Sequence, residues 1–232
     1  MHTRSTQTPP ATVTLERMAG ARNYNAWLID RCKPYLGHRV LDAGAGLGTF
    51  TECVAAGREV VALEPDCEHA MRLRRRFAER DNVTVVEGDV NAGDFGKGFD
   101  SVVCLNVLEH IADDSRALAA FAAALRSGGR LLLIVPAHPF LYGTIDLALQ
   151  HVRRYRRREL ETKLSATGFA IEALQHVNPV GAFGWLFWGR ILGRDSVPSE
   201  PLRAYDRLAP LLRTLDKVPL PVGLSLWAVA RR

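Results

Sequence analysis

The 232-residue sequence predicts an α/β fold in which helices cover both faces of a parallel sheet. Three observations carry that prediction. Short apolar runs at 39–43, 59–64, 83–87, 99–105 and 130–135 have strand length and are rich in Val and Leu, as strands buried on both faces require. Helix-like segments such as 66–80 and 113–125 lie between them, and this alternation implies right-handed crossovers between parallel strands. The first run also ends in a turn holding Gly44, Gly46 and Gly48, the punctuation of a strand that opens into a helix.

From the N-terminus, residues 1–14 (MHTRSTQTPPATVT) are polar and proline-containing and read as a flexible start without the apolar core of a secretory signal. A single domain over 15–232 follows. Residues 15–37 set Tyr24, Trp27, Leu28 and Ile29 at helical spacing before Pro34 and Gly37 stop the helix. After the five strands and their helices come a helix over 158–167, a strand over 169–176 and a closing strand over 225–230. Residues 178–223 interrupt the alternation, and so long a connection in a compact domain either has its own structure or serves function. They include GAFGWLFWGRILG, the most aromatic passage of the chain, with Phe183, Trp185, Phe187 and Trp188.

With 47% hydrophobic and 24% charged residues the composition is that of an ordinary globular domain, so disorder is expected only at the ends. The net charge of +5 is concentrated in arginine clusters at 72–76 and 153–158, too local to make a nucleic-acid binder by itself. Cys32, Cys53, Cys67 and Cys104 lack C-x-x-C spacing, which predicts a reduced, cytoplasmic protein. No apolar run reaches the ~18 residues of a membrane-spanning helix.

The stretch VLDAGAGLGT, residues 40–49, presents backbone N–H groups and the positive end of a helix dipole to a ligand. The dinucleotide fingerprint G-x-G-x-x-G wants its third glycine where Thr49 stands, so the spacing belongs to another motif, with Asp42 two residues before Gly44. Four more strand-end motifs follow in order: VVALEPD with Glu64, VVEGDV with Asp89, FDSVVCLNVLEHI with Asn106 to Glu109, and LRSGGRLLLIVP at the turn into the fifth strand. Together they resemble the signatures of class I S-adenosylmethionine-dependent methyltransferases. Over 23–169 the chain is similar to the small-molecule branch that includes the ubiquinone and menaquinone biosynthetic enzymes.

The resemblance implies a Rossmann-like, doubly wound sheet of seven strands, mostly parallel, with helices on both faces. The last strand is expected to be antiparallel, between the fifth and sixth; the resemblance does not cover 178–223, which its own residues make a helical insert between the last two strands. The implied cofactor is S-adenosyl-L-methionine, with S-adenosyl-L-homocysteine as product. Asp42 and the amides of Gly44, Gly46 and Gly48 are then expected at the methionine portion, Glu64 at the ribose, and Asp89 with Val90 at the adenine. Asn106 and Val107 pass the cofactor, and Tyr24 contacts it from the N-terminal helix, core packing being the equal alternative.

In the same family the segment after the fifth strand borders the acceptor, and here it reads PAHPFLYGTIDLALQHVRRYRRREL. His138 and His151, with His110 of LEHI, are candidate bases because imidazole titrates near neutrality, and Tyr142 is a further catalytic candidate. Arg153, Arg154 and Tyr155 are acceptor-binding candidates, the arginines as a bidentate clamp on a carboxylate or phosphate. A structural or surface role is the alternative for each. His138, Asp146 and His151 match no established ligand spacing, so no metal is expected.

The insert has three readings: a lid over a bulky apolar or amphiphilic acceptor with Trp185 against it, packing on the domain, or peripheral membrane contact through 183–194 between Arg190 and Arg194. The expected partner is a small-molecule acceptor, an apolar or amphiphilic metabolite, anionic if the arginines bind it, methylated on oxygen or on carbon. Nucleic acid is not expected, because NVLE rather than an N-P-P-Y-like tetrad follows the fourth strand. A catalytically inactive donor-binding subunit and a nicotinamide-dependent oxidoreductase are the competing functions, the latter disfavoured by Thr49.

Overall fold

A computed structural model describes residues 20–93, 95–218 and 220–232. The flexible start expected at 1–14, and residues 15–19 of the expected first helix, lie outside them. Seven strands, β1 (Arg39–Ala43), β2 (Glu59–Glu64), β3 (Val83–Glu87), β4 (Phe99–Leu105), β5 (Leu125–Pro136), β6 (Ala170–Val177) and β7 (Ser225–Arg231), form one sheet in the order β3-β2-β1-β4-β5-β7-β6. β1 to β5 pair in parallel, and β7 runs antiparallel to both β5 and β6, as the resemblance implies.

The helices are α1 (Arg22–Cys32), α2 (Thr49–Val54), α3 (Cys67–Arg76), α4 (Asp114–Ala124), α5 (Thr144–Ala148), α6 (Arg157–Ala166), α7 (Pro179–Trp185) and α8 (Ser199–Leu212). Consecutive strand residues feed opposite faces. Leu41, Leu131 and Leu133 pack with Leu118 and Phe121 of α4 and Leu160 and Leu164 of α6. Val40, Leu132 and Ile134 pack with Trp27 and Leu28 of α1. Uninterrupted apolar strands are what a sheet covered on both sides demands, and each such side chain contributes roughly 1.5–3 kcal/mol on burial.

Local chemistry sets the helix limits. Asp66 caps α3 by accepting from the His69 amide at 2.9 Å, and Asp113 caps α4 through the Arg116 amide at 3.0 Å. The helix expected over 66–80 stops at Arg76, and a turn carries the chain to β3. The expected turn into the fifth strand is instead a bulge inside a longer one. Phe99 pairs with Leu125 and Ser101 with Arg130, so residues 126–129 loop out around Gly128 at φ 75°.

The strand order reverses between β2-β1 and β4-β5, and a crevice opens beyond the carboxyl ends of β1 and β4. The insert folds over that crevice as α7, a π-helical turn over Leu186–Ile191, and α8. α8 rests on α1, where Asp206 accepts from the Tyr24 amide at 2.9 Å and the Tyr205 and Tyr24 rings meet edge to face at 6.0 Å. Among the described residues no helix is long and apolar enough to cross a membrane.

Candidate functional site

The glycine turn after β1 needs glycine for its backbone. Gly44, Gly46 and Gly48 have φ of 73°, 56° and 81°, a region that side-chain-bearing residues enter only with strain. A Cβ at Gly44 would stand 2.5 Å from Cγ2 of Val107, and one at Gly48 2.7 Å from Cε2 of Phe77. Four of the turn's amides are used within the protein. Gly44 and Ala45 donate to the Leu63 carbonyl at 2.8 and 3.0 Å, Gly48 to the Ala45 carbonyl at 2.8 Å, and Gly46 to the Glu64 carboxylate at 2.7 Å. What the turn offers a neighbour is thus its exposed main-chain surface, held in shape by β2.

Asp42 lies behind the turn. It is buried and accepts from the Thr51 hydroxyl at 2.6 Å, while burial, with Glu64 nearby, pushes its pKa up to about 6. Glu64 also accepts from the Asp66 amide at 3.0 Å, so one buried carboxylate joins the glycine turn to the start of α3. Asp89, exposed beyond β3, accepts from the Asn91 amide at 2.6 Å, and Val90 beside it is buried. Arg76, in the arginine cluster at 72–76, donates to the Leu47 carbonyl of the turn and pairs with Glu52.

A cavity of about 700 Å³ lies between this edge and the insert, a volume typical of small-molecule sites. Tyr24, Gly44, Gly46, Asn106 and Val107 line one side. Val180, Phe183, Trp185, Phe187 and Trp188 line the other, so the insert both packs on the domain and walls the cavity. Asp42, Glu64 and Asp89 lie outside this lining, along the neighbouring strand ends. The four non-glycine residues with positive φ among those described, Asn106, His138, Gln150 and Asn178, all sit in loops at or next to it, where strained backbone re-aims side chains.

One end of the cavity is polar and centres on Asp146, which is fully buried. Its carboxylate accepts from His151 Nδ1 at 2.8 Å, Arg154 Nε at 2.8 Å, Trp185 Nε1 at 3.0 Å and the Gly143 amide at 3.1 Å. Burial alone would raise its pKa, but these donors and the Arg154 charge hold it below the ordinary carboxylate value. His151 is thereby fixed with Nδ1 on Asp146, and its Nε2 faces Glu109 Oε1 at 3.9 Å. Glu109 is wholly buried with neither oxygen hydrogen-bonded among the described residues, and burial pushes its pKa up to about 8. His110 packs edge to face on His151 at 4.9 Å. Desolvation and that neighbour lower its pKa to about 4, leaving it neutral.

The predicted catalytic residues therefore separate. His151 and His110 line the cavity together. His138 lies outside its lining, stacked on His176 at 4.7 Å, and the Tyr142 hydroxyl donates to the His151 carbonyl at 2.6 Å, anchoring the loop. Among the predicted acceptor residues, Arg154 and Trp185 line the cavity, with the guanidinium 4.9 Å from the indole ring. Arg153 pairs with Asp114 at 2.7 Å, and the Tyr155 hydroxyl donates to the same carboxylate at 2.9 Å in the core. The sequence offers Asp146 only beside His138 and His151, at a spacing that matches no metal site, and gives Asn178 no role. Asn178 caps α7 at φ 62° and accepts from Tyr205 at 2.8 Å. The cues were modest: an acid five residues before His151, and Asn178 before Pro179 at the start of the insert.

A sequence model of a methyltransferase-domain family matches residues 14–174. The demethylmenaquinone methyltransferase of Renibacterium salmoninarum is 32% identical over 124 residues, 53% of this chain and 51% of the relative. A ubiquinone biosynthesis O-methyltransferase of Ruegeria sp. is 29% identical over 178 residues, 73% of this chain and 71% of the relative. The chain spans about half the length of the first of these and of several other curated relatives that it matches. Among solved structures, a putative sarcosine dimethylglycine methyltransferase from Galdieria sulphuraria superposes with a TM-score of 0.63 at 13% identity, over 89% of this chain and 84% of that one. At that identity the likeness shows the fold alone.

Proposed function

Because the chain belongs to the methyltransferase-domain family, we propose that it transfers the methyl group of S-adenosylmethionine to a hydroxyl of a small apolar or amphiphilic acceptor held beneath the insert. The observation that carries this is one cavity bounded by the glycine turn and Asn106 on one side and the Asp146-anchored His151 on the other. The residues present fit the donor: main chain packed too closely for a side chain at Gly44, and the Glu64 carboxylate at the end of β2. When bound, the sulfonium supplies an already activated methyl group.

In this reading Glu64 and Asp89 accept from ribose and adenine, and the turn, Asn106, Val107 and Tyr24 seat the methionine end. Asp42, turned toward Thr51, holds the turn from behind. On the acceptor side, His151 keeps its Nε2 free for the nucleophile's proton while Asp146 fixes its ring, a role that typically adds about 100- to 10,000-fold. Arg154 Nη2, buried without a partner at the cavity, holds an acceptor oxygen in the same reading. The aromatic wall excludes water and fixes the approach, and orientation can supply about 7–11 kcal/mol of barrier reduction. Phe183, Phe187 and Ile191 also present exposed faces beside Arg190 and Arg194, which supports peripheral contact with an anionic membrane from which an amphiphilic acceptor could enter.

Incubation with methyl-labelled donor and fractionated cell metabolites tests the reading. A labelled, apolar product that disappears with His151→Ala is expected, and donor binding without any labelled product would overturn it.

A further inference from the structure

The acceptor side offers a ligand set that goes beyond an imidazole base, and the use of that set in catalysis depends on the methyl transfer proposed for this cavity. One donor atom each from Glu109, His110 and His151 lies within 4.8 Å of the others. Glu109 is buried to the last atom, neither of its oxygens hydrogen-bonds another described residue, and the carboxyl lines the cavity. Arg154 makes no hydrogen bond to this carboxyl: its Nε goes to Asp146 and its Nη1 to the Ala137 carbonyl at 3.0 Å, while Nη2 stays unpartnered. We propose that Glu109, His110 and His151 bind one divalent transition-metal cation, which takes the acceptor's hydroxyl oxygen at its open position.

The donor chemistry suits such an ion. Two imidazoles and one carboxylate with an open position form a catalytic zinc-type set, and metal–ligand bonds of about 2.0–2.2 Å put tetrahedral donors about 3.4 Å apart. The 3.9 Å between His151 Nε2 and Glu109 Oε1 needs only a small side-chain shift to reach that. The supporting hydrogen bonds are those that orient metal-binding histidines. Asp146 takes His151 Nδ1 at 2.8 Å and leaves Nε2 aimed at Glu109, and the His110 ring packs edge to face on His151 at 4.9 Å. His110 is on the exposed side of the trio, which gives an ion a way in.

With the ion bound, His151 acts through it rather than as the direct proton acceptor. The metal-bound hydroxyl loses its proton to solvent on the exposed His110 side, away from the aromatic wall, the oxygen lone pair forms the new O–CH3 bond, and the electron pair of the broken C–S bond stays on sulfur. The sulfonium becomes a neutral thioether, one proton is released, and nothing is oxidised or reduced.

Tag-free protein stripped with chelator and titrated with Co2+, followed by visible absorption and displaced by Zn2+, tests the site. One equivalent is expected for the unaltered protein and for His138→Gln, which lies outside the trio. Binding is expected to weaken at least about 100-fold in Glu109→Gln and His151→Gln, and about 10- to 100-fold in Asp146→Asn. Glutamine matches the shape of the buried neutral acid, so circular dichroism of Glu109→Gln should stay native. Absence of Co2+ uptake by the unaltered protein, or uptake by Glu109→Gln equal to it, overturns the proposal. S-adenosylhomocysteine calorimetry on the same samples separates the two readings: homocysteine-nucleoside binding without Co2+ binding sinks the metal site alone, while no nucleoside binding sinks the methyl-transfer reading itself.

Discussion

The two walls of the cavity are built in different ways. The wall at β1 and β4 is local: three glycines within five residues, with amides returned to β2 and to the turn itself, and Val107 filling the space that a Cβ at Gly44 would need. The opposite wall gathers Glu109, Asp146, His151, Arg154 and Trp185 from three separate stretches of chain around one carboxylate. Backbone geometry makes the first wall, and side-chain networks make the second. A fold can thus fix where a common donor sits through main-chain conformation, and leave acceptor chemistry to side chains that meet only in the folded state.

The strongest challenge to this division of labour is His151→Ala. It should lower kcat by about 100- to 10,000-fold while leaving S-adenosylhomocysteine affinity within twofold, read by single-turnover kinetics and calorimetry. Gly44→Val attacks the other wall. It should abolish nucleoside binding and cost about 1–3 kcal/mol in denaturant unfolding, because the new side chain meets Val107 at a left-handed φ.

Asp42→Asn probes the glycine wall from behind the turn. With its pKa raised to about 6 from 3.8 by burial, Asp42 contributes stability that is complete below pH 3.8 and is lost as pH rises through about 6. The asparagine variant does not titrate. Relative to it, the unaltered protein should lose on the order of 2–3 kcal/mol between pH 4 and 7 and then level off, measured by urea unfolding at fixed pH. A smaller effect, about 1–2 kcal/mol, is expected for Trp185→Phe, which keeps the ring stack but deletes the N–H bonded to Asp146. Smallest of all, Arg74→Ala should stay within about 0.5 kcal/mol, since its pair with Glu87 is half-exposed on both sides.

The contrast between the walls also explains what was legible in the chain. Apolar runs such as 99–105 alternate between two faces only if both are covered, so the doubly covered sheet was readable before any contact was known. Gly44, Gly46 and Gly48 announced a strained turn because few other residues tolerate it. The fifth strand was misjudged at its start, because Gly128 and Gly129 signal a bulge and a turn alike. His151 could be named as a candidate but not preferred over His138, because what separates them is Asp146 for one and the His176 ring for the other, both set by tertiary packing. The arginines at 153 and 154 are adjacent in sequence and opposite in fate. One is pinned to Asp114 outside the cavity and the other is buried at its polar end.

That one cavity joins a main-chain donor seat to a side-chain acceptor centre is open to a single decisive experiment, the calorimetric titration of S-adenosylhomocysteine into the unaltered protein, Gly44→Val and His151→Ala. One site per chain is predicted, lost in the glycine variant and kept in the histidine variant. Heat from neither S-adenosylhomocysteine nor S-adenosylmethionine in the folded, unaltered protein would contradict it.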